Sequence, residues 1–296
     1  MLFSQEEKPI KRSNVTVYDL PTKTAKVIYS ADTTIEAPNW APDGKYLLVN
    51  SKGKLWRVGT DASGSKQLEE INLNGLEKCN NDKSISPDGK LIALSSSGRA
   101  KGSQIFTVPA KGGEAKMIVP ETPSYFHAFS PDGAFLAFVA QRNGHFNLFR
   151  VPVGGGEQER LTSKPSYDDG PDYSPDGKWI YFNSDRSGGW DIWRMPAAGA
   201  GAGDDLAQQV TNDELEDWFP HCSPDGKWLL FLSFPKGTAG HNGHSDVELR
   251  MIPLPGKNIS ARQIQSITKL FGGQGTINVN SWSPDSKKFA FMSYEQ

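Results

Sequence analysis

"YSPDGKWIYFNSD", Tyr173 to Asp185, is nearly a copy of "FSPDGAFLAFVAQ", which starts at Phe129, 44 residues earlier. The same cassette occurs six times: "WAPDGKYLLVN" from Trp40, "ISPDGKLIALS" from Ile85, then the copies at Phe129 and Tyr173, "CSPDGKWLLFL" from Cys222 and "WSPDSKKFAFM" from Trp282. Successive Pro–Asp pairs are separated by 45, 44, 44, 49 and 60 residues. A period in the forties made of strands marks the blade of a β-propeller. Within the cassette, Pro arrives with φ already suited to the first central position of a type I turn. Asp suits the second, and Gly accepts the left-handed conformation that makes a bulged hairpin. Each SPDG therefore joins an inner strand A to a strand B whose apolar residues alternate.

A third strand follows in register, as in "LWRVG" at Leu55, "IFTVP" at Ile105, "LFRVP" at Leu148, "IWRMP" at Ile192 and "LRMIP" at Leu249. Gly-rich turns then lead to short fourth strands ending "RLT" at Arg160, "QVT" at Gln209 and "SIT" at Ser266. After the sixth turn the chain stops with only strands A and B written. The missing pair is at the front, "VTVYDLP" from Val15 and "KVIYS" from Lys26. The predicted fold is all-β: a six-bladed propeller of four antiparallel strands per blade over residues 14–296. N-terminal strands C and D close the ring against C-terminal strands A and B, behind an extension at 1–13 expected to be poorly ordered. Closure removes the exposed edges on which sheets aggregate.

Composition agrees with many sharp turns: 30 glycines and 20 prolines in 296 residues. The 32 basic and 34 acidic residues are dispersed and leave a net charge of −2, so the basic stripe needed for nucleic acid is missing. No apolar run is long enough to insert in a membrane, and "MLFSQEEKPIKRS" does not read as a secretory signal. As written the chain reads as cytoplasmic, or as periplasmic if an export signal has been removed. Cys79 and Cys222 are too few for a disulfide framework and lack metal-ligand spacing.

The repeats resemble the SPDG repeats of TolB-type propellers over nearly the whole chain, and those of prolyl-oligopeptidase-like proteins. TolB proper carries an α/β domain and an export signal that are not written here, so its part in the Tol-Pal system is not carried over. The peptidase relatives imply a Gly-x-Ser-x-Gly elbow, and the nearest string, "GHSDV" at Gly243, lacks its last glycine. Metal-dependent oligogalacturonate lyases share related blades, which implies a second option, a metal-dependent lyase or carbohydrate-processing enzyme.

Loops that vary on a rigid scaffold usually carry binding. Here they are the D–A and B–C connections, all on one face. Reading back four or five positions from the end of each strand A places Glu36, Asn81, Tyr125, Asp168, Asp169, Asp217, Trp218 and Asn278 at the mouth. The B–C loops add Arg142, Arg186 and His244. This ring suits a small polar or carbohydrate ligand, a peptide end or a loop of a partner protein. The insertion "GTAGHNGHSDVE" from Gly237 brings His241 and His244 to the same face and is long enough to cover it. His127 and His221 lie near the ends of their strands and are the candidates for a divalent metal under the enzyme option, though their different offsets predict opposite faces. The reading is a non-catalytic binding module with no cofactor.

Overall fold

A computed structural model describes residues 10–60, 68–254 and 263–296. Most of the predicted extension at 1–13 thus lies outside the described residues, while Arg12 and Ser13 already belong to the first strand.

The chain begins with β1 (Arg12–Asp19) and β2 (Thr24–Ala31), then writes five complete blades. Blade one is β3 (Glu36–Trp40), β4 (Tyr46–Ser51), β5 (Lys54–Gly59) and β6 (Glu69–Glu70). Blade two is β7 (Cys79–Ile85), β8 (Leu91–Ser96), β9 (Gln104–Pro109) and β10 (Lys116–Val119). Blade three is β11 (Ser124–Phe129), β12 (Phe135–Arg142), β13 (His145–Pro152) and β14 (Glu159–Arg160). Blade four is β15 (Asp168–Tyr173), β16 (Trp179–Ser184), β17 (Asp191–Pro196) and β18 (Gln208–Gln209). Blade five is β19 (Glu216–Cys222), β20 (Trp228–Phe234), β21 (His244–Pro253) and β22 (Gln265–Gly272). Each is an antiparallel sheet in chain order.

The sixth blade closes the ring as expected. β23 (Lys288–Glu295) pairs with β1, Val15 facing Met292 and Asp19 facing Lys288, and β1 pairs in turn with β2. Its inner strand is reduced to a single bridge, Trp282 to Phe289.

The turns are held as their chemistry predicts, with an addition. In the second cassette the Gly89 amide donates to the Ser86 carbonyl at 2.8 Å and Gly89 has φ 71°. The Ser86 hydroxyl donates to the Asp88 carboxylate (2.7 Å) and accepts from the Leu91 amide (2.9 Å), while Asp88 accepts from the Lys90 amide. The serine thus closes the turn from inside, and the arrangement recurs at Ser130, Ser174, Ser223 and Ser283, while the first cassette has Ala41 in its place. In the sixth copy Ser286 replaces Gly at φ 60°, and its hydroxyl accepts the Asp225 amide of blade five.

Sheets that face one another around a ring bury apolar residues between blades rather than in one centre. Six clusters fill the six interfaces, for example Leu48, Leu94 and Phe106 between blades one and two. Val15, Leu47, Val49 and Met292 seal the joint between closing blade and blade one. On strand C, Arg57 and Arg150 pair outward with Glu69 and Glu159 of the neighbouring outer strand.

Candidate functional site

The inner strands carry a bulge in all five complete blades, between Glu36 and Asn39, Cys79 and Lys83, Phe126 and Ala128, Asp169 and Asp172, and Trp218 and His221. A bulge inserts an unpaired residue and re-aims its neighbours. Ala37 (φ 50°), Gly170 (φ 60°) and Phe219 (φ 54°) take the left-handed conformation there. At Gly170 a Cβ would come within 2.6 Å of Asn183 Oδ1 on the paired strand and 3.1 Å of the Phe219 ring of blade five, so this crowded left-handed position favours glycine.

These bulges shape a cavity of about 390 Å³ on the face of the variable loops. Glu36 of blade one, Asn80, Asn81 and Asp82 of blade two, Tyr125, His127 and Phe146 of blade three, and Asp169 of blade four line it. Tyr167, His241 of the long blade-five loop and Gln274 complete the wall. The loop is anchored there: the Gln274 amide donates to the His241 carbonyl at 2.8 Å.

His127 and Asp169 are both buried, and Nε2 of the imidazole stands 3.1 Å from Asp169 Oδ1. Burial opposes the imidazolium, but the hydrogen bond and charge of Asp169, helped by Asp82 and Asp172, hold the His127 pKa above its ordinary value. Burial likewise opposes the Asp169 carboxylate, and His127, His241 and the Gly170 amide outweigh it and lower its pKa. Asp82 moves the other way: burial raises its pKa against the pull of His127 and the Asn278 amide. Burial lowers the pKa of His241. Behind the wall, Lys83 is fully buried with its pKa pushed down to about 7 by desolvation. Its Nζ donates to the Glu36 and Ala37 carbonyls and to Asn50 Oδ1.

Of the predicted mouth residues, Glu36, Asn81, Tyr125 and Asp169 do meet around this cavity, and so does His127. Others are placed elsewhere. Asp168 accepts from Ser184 (2.6 Å) and from Arg186 (2.7 Å), whose guanidinium also reaches Asp204 and lies over the Phe182 and Trp193 rings. Asp217 makes the corresponding triad with Ser233 and Arg250. Arg142 does similar work in blade three, donating to the Pro123 carbonyl and the Ser124 hydroxyl. Asp168, Asp217, Arg142 and Arg186 are thus straps inside blades, because a buried carboxylate next to a serine on the paired strand is met from within the sheet.

Trp218 is fully buried against Trp190, ring centroids 3.8 Å apart, and supports the His241 ring at 4.7 Å. Asn278 is buried and donates to Asp82 at 2.7 Å. His244 lies in β21 opposite Gly272, its Nδ1 accepting the Asp246 amide. His127 and His221 do not share a site: the His221 ring stands between the Asp172 carboxylate (3.3 Å) and the Ile277 carbonyl (2.6 Å). Among the described residues no three His, Cys, Asp or Glu side chains come together to hold a metal ion.

Asp82, Phe146, Tyr167 and Gln274 were not predicted. The run "NND" at Asn80–Asp82 was the only local hint, since the strand bulge decides which of its members faces inward. A larger groove, about 860 Å³, lies on the opposite face between the closing blade and blade one. Its polar wall includes Asp43 and Ser283 of the repeat turns, whose side chains bond within those turns.

Comparison with known proteins agrees with this architecture. An uncharacterised protein of Agrobacterium fabrum is 38% identical over 283 residues, covering 96% of this chain and 92% of that protein. A solved structure from Agrobacterium tumefaciens, described as a candidate TolB, superposes with a TM-score of 0.90 at 37% identity over 98% of this chain and all of that one. Residues 122–251 match the TolB β-propeller domain. This chain belongs to the TolB-type propeller family. The Tol-Pal system protein TolB of Francisella tularensis shares 28% identity over 130 residues, 43% of this TolB-type propeller but 29% of that longer protein. No helix among the described residues is long and apolar enough to cross a membrane.

Proposed function

We propose that this TolB-type propeller is a non-catalytic binding module whose funnel receives a small polar ligand or a polar group projecting from a partner protein. The observation that supports the reading most is the cavity itself, to which five blades send polar or aromatic side chains around the His127–Asp169 pair. A concave site with a few convergent polar groups on an otherwise rigid frame is where ligands bind. Mixed donors and acceptors from Asn80, Asn81 and Gln274 suit hydrogen bonding, and the Phe146 and Tyr167 rings, stacked at 4.6 Å, supply an apolar wall.

The test is a thermal-shift screen of small polar compounds against the intact chain and its Tyr125→Ala variant. A ligand present at about 100 times its Kd adds about 2.7 kcal/mol of stability. The expected result is a rise in midpoint with the native chain that Tyr125→Ala abolishes. Turnover of a compound by the purified chain, lost on the same substitution, would refute the non-catalytic reading.

A further inference from the structure

The funnel is short of positive charge where it meets the cavity. Asp82 accepts from the neutral amides of Asn80 (2.6 Å) and Asn278 (2.7 Å), and Glu36 accepts from Asn50 Nδ2 (2.9 Å). The nearby cation, Lys83, turns its Nζ to carbonyl oxygens and to Asn50 rather than to either carboxylate. His127 is matched by Asp169, with His241 Nε2 a further 3.9 Å from that carboxylate. Glu36 and Asp82 therefore border the cavity without a hydrogen-bonded counter-charge.

A second, independent observation concerns a donor. The His127 side chain is 3% exposed and lines the cavity, yet its Nδ1 has no hydrogen-bond partner. With Nε2 facing Asp169, Nδ1 is the ring nitrogen that no protein atom meets, and in the imidazolium form it is a donor. A buried donor left in this state is costly unless a ligand supplies the acceptor.

We propose that the funnel binds an ammonium group that carries a hydrogen-bond acceptor a few bonds away, as in a free amino acid or the N-terminus of a peptide. The ammonium lies at Glu36 and Asp82, the acceptor oxygen meets Nδ1 of His127, and the remainder rests against Tyr125 and Phe146. Charge-assisted hydrogen bonds to carboxylates give the ammonium its preference, and aromatic faces beside a cation add to it. This rests on the binding-module reading and narrows its ligand class.

Calorimetric titration of the intact chain with alanyl-alanine amide, its N-acetyl derivative, free alanine, ethylamine and glucose tests it. Binding of alanyl-alanine amide or of alanine is expected, weakened at least tenfold by N-acetylation and in ethylamine, which lacks the acceptor. Tighter binding of alanine marks a free amino acid as the source, and tighter binding of the amide marks a peptide N-terminus. Glu36→Gln should weaken these ligands about tenfold with an unchanged thermal midpoint. The N-acetyl arm needs no variant, so the outcome does not depend on a substitution that misfolds. Equal binding of the acetylated peptide, or binding of glucose alone, overturns the ammonium while leaving the module standing. Binding of none of the five overturns the inference as well.

Discussion

Asp169, helped by Asp82 and Asp172, favours the imidazolium form of buried His127 against desolvation, and that makes His127 a pH-dependent element of stability. Its pKa is raised in the fold, so its contribution is whole below the unfolded value of about 6.5 and is lost as pH rises through the folded one. Asp169 is lowered, so its contribution is whole above about 3.8 and is lost as pH falls through the folded value. The pair therefore stabilises most between about pH 4 and 6.5. His127→Gln should cost about 3 kcal/mol in that window, as expected when one partner of a buried pair is removed, and less once pH has risen through the raised folded pKa of His127. Urea unfolding of both proteins from acid to mildly alkaline pH checks this, and parallel stability curves would refute it. At this scale sequence reading found Asp169 and His127 separately but not their contact, since they belong to different blades 42 positions apart.

Blades four and five each fasten a buried carboxylate to a serine across the sheet and to an arginine, yet the arginine comes from different places. Arg186 follows β16, and Arg250 lies on β21. Their shared job is invisible to alignment of the repeats by spacing. Arg186→Ala would leave Asp168 and Asp204 buried without their cation, at about 3–5 kcal/mol. Arg142→Ala removes hydrogen bonds to the Ser124 hydroxyl and the Pro123 and Gln141 carbonyls and a contact with the Phe149 ring, leaves no buried carboxylate behind, and should cost about 1 kcal/mol. Chemical denaturation of the two variants distinguishes them, and equal losses would contradict the strap. The strands themselves were legible, because turn chemistry and alternation are local. The bulges were not: that Asn80, Asn81 and Asp82 all border the cavity depends on the bulge of β7 and on how it sits against its neighbours.

The molecule is a ring of interfaces, so its stability depends on the joint where the termini meet. Removing residues 1–31 deletes β1 and β2, strips β23 of its partner and uncovers the side of the last cluster that Val15 seals. The truncated chain should aggregate and melt far below the intact one, because an unpaired hydrophobic edge recruits other chains. Light scattering and calorimetry test it; a soluble truncation with an unchanged midpoint would mean that the joint contributes little.

Six repeats, their turn residues and the split of one blade between the two ends were enough to determine a closed six-bladed propeller, since each of those signals acts within a few residues or by simple counting. Which side chains face the funnel was decided only by tertiary structure. Bulges set the direction of each inner-strand residue, and partners within their own blades claim Asp168 and Asp217, while Asn278 is spent on Asp82 of another blade and Glu36, Asp82 and His127 border the cavity. A residue's availability for binding depends on what else has already satisfied it, and those partners lie far away along the chain.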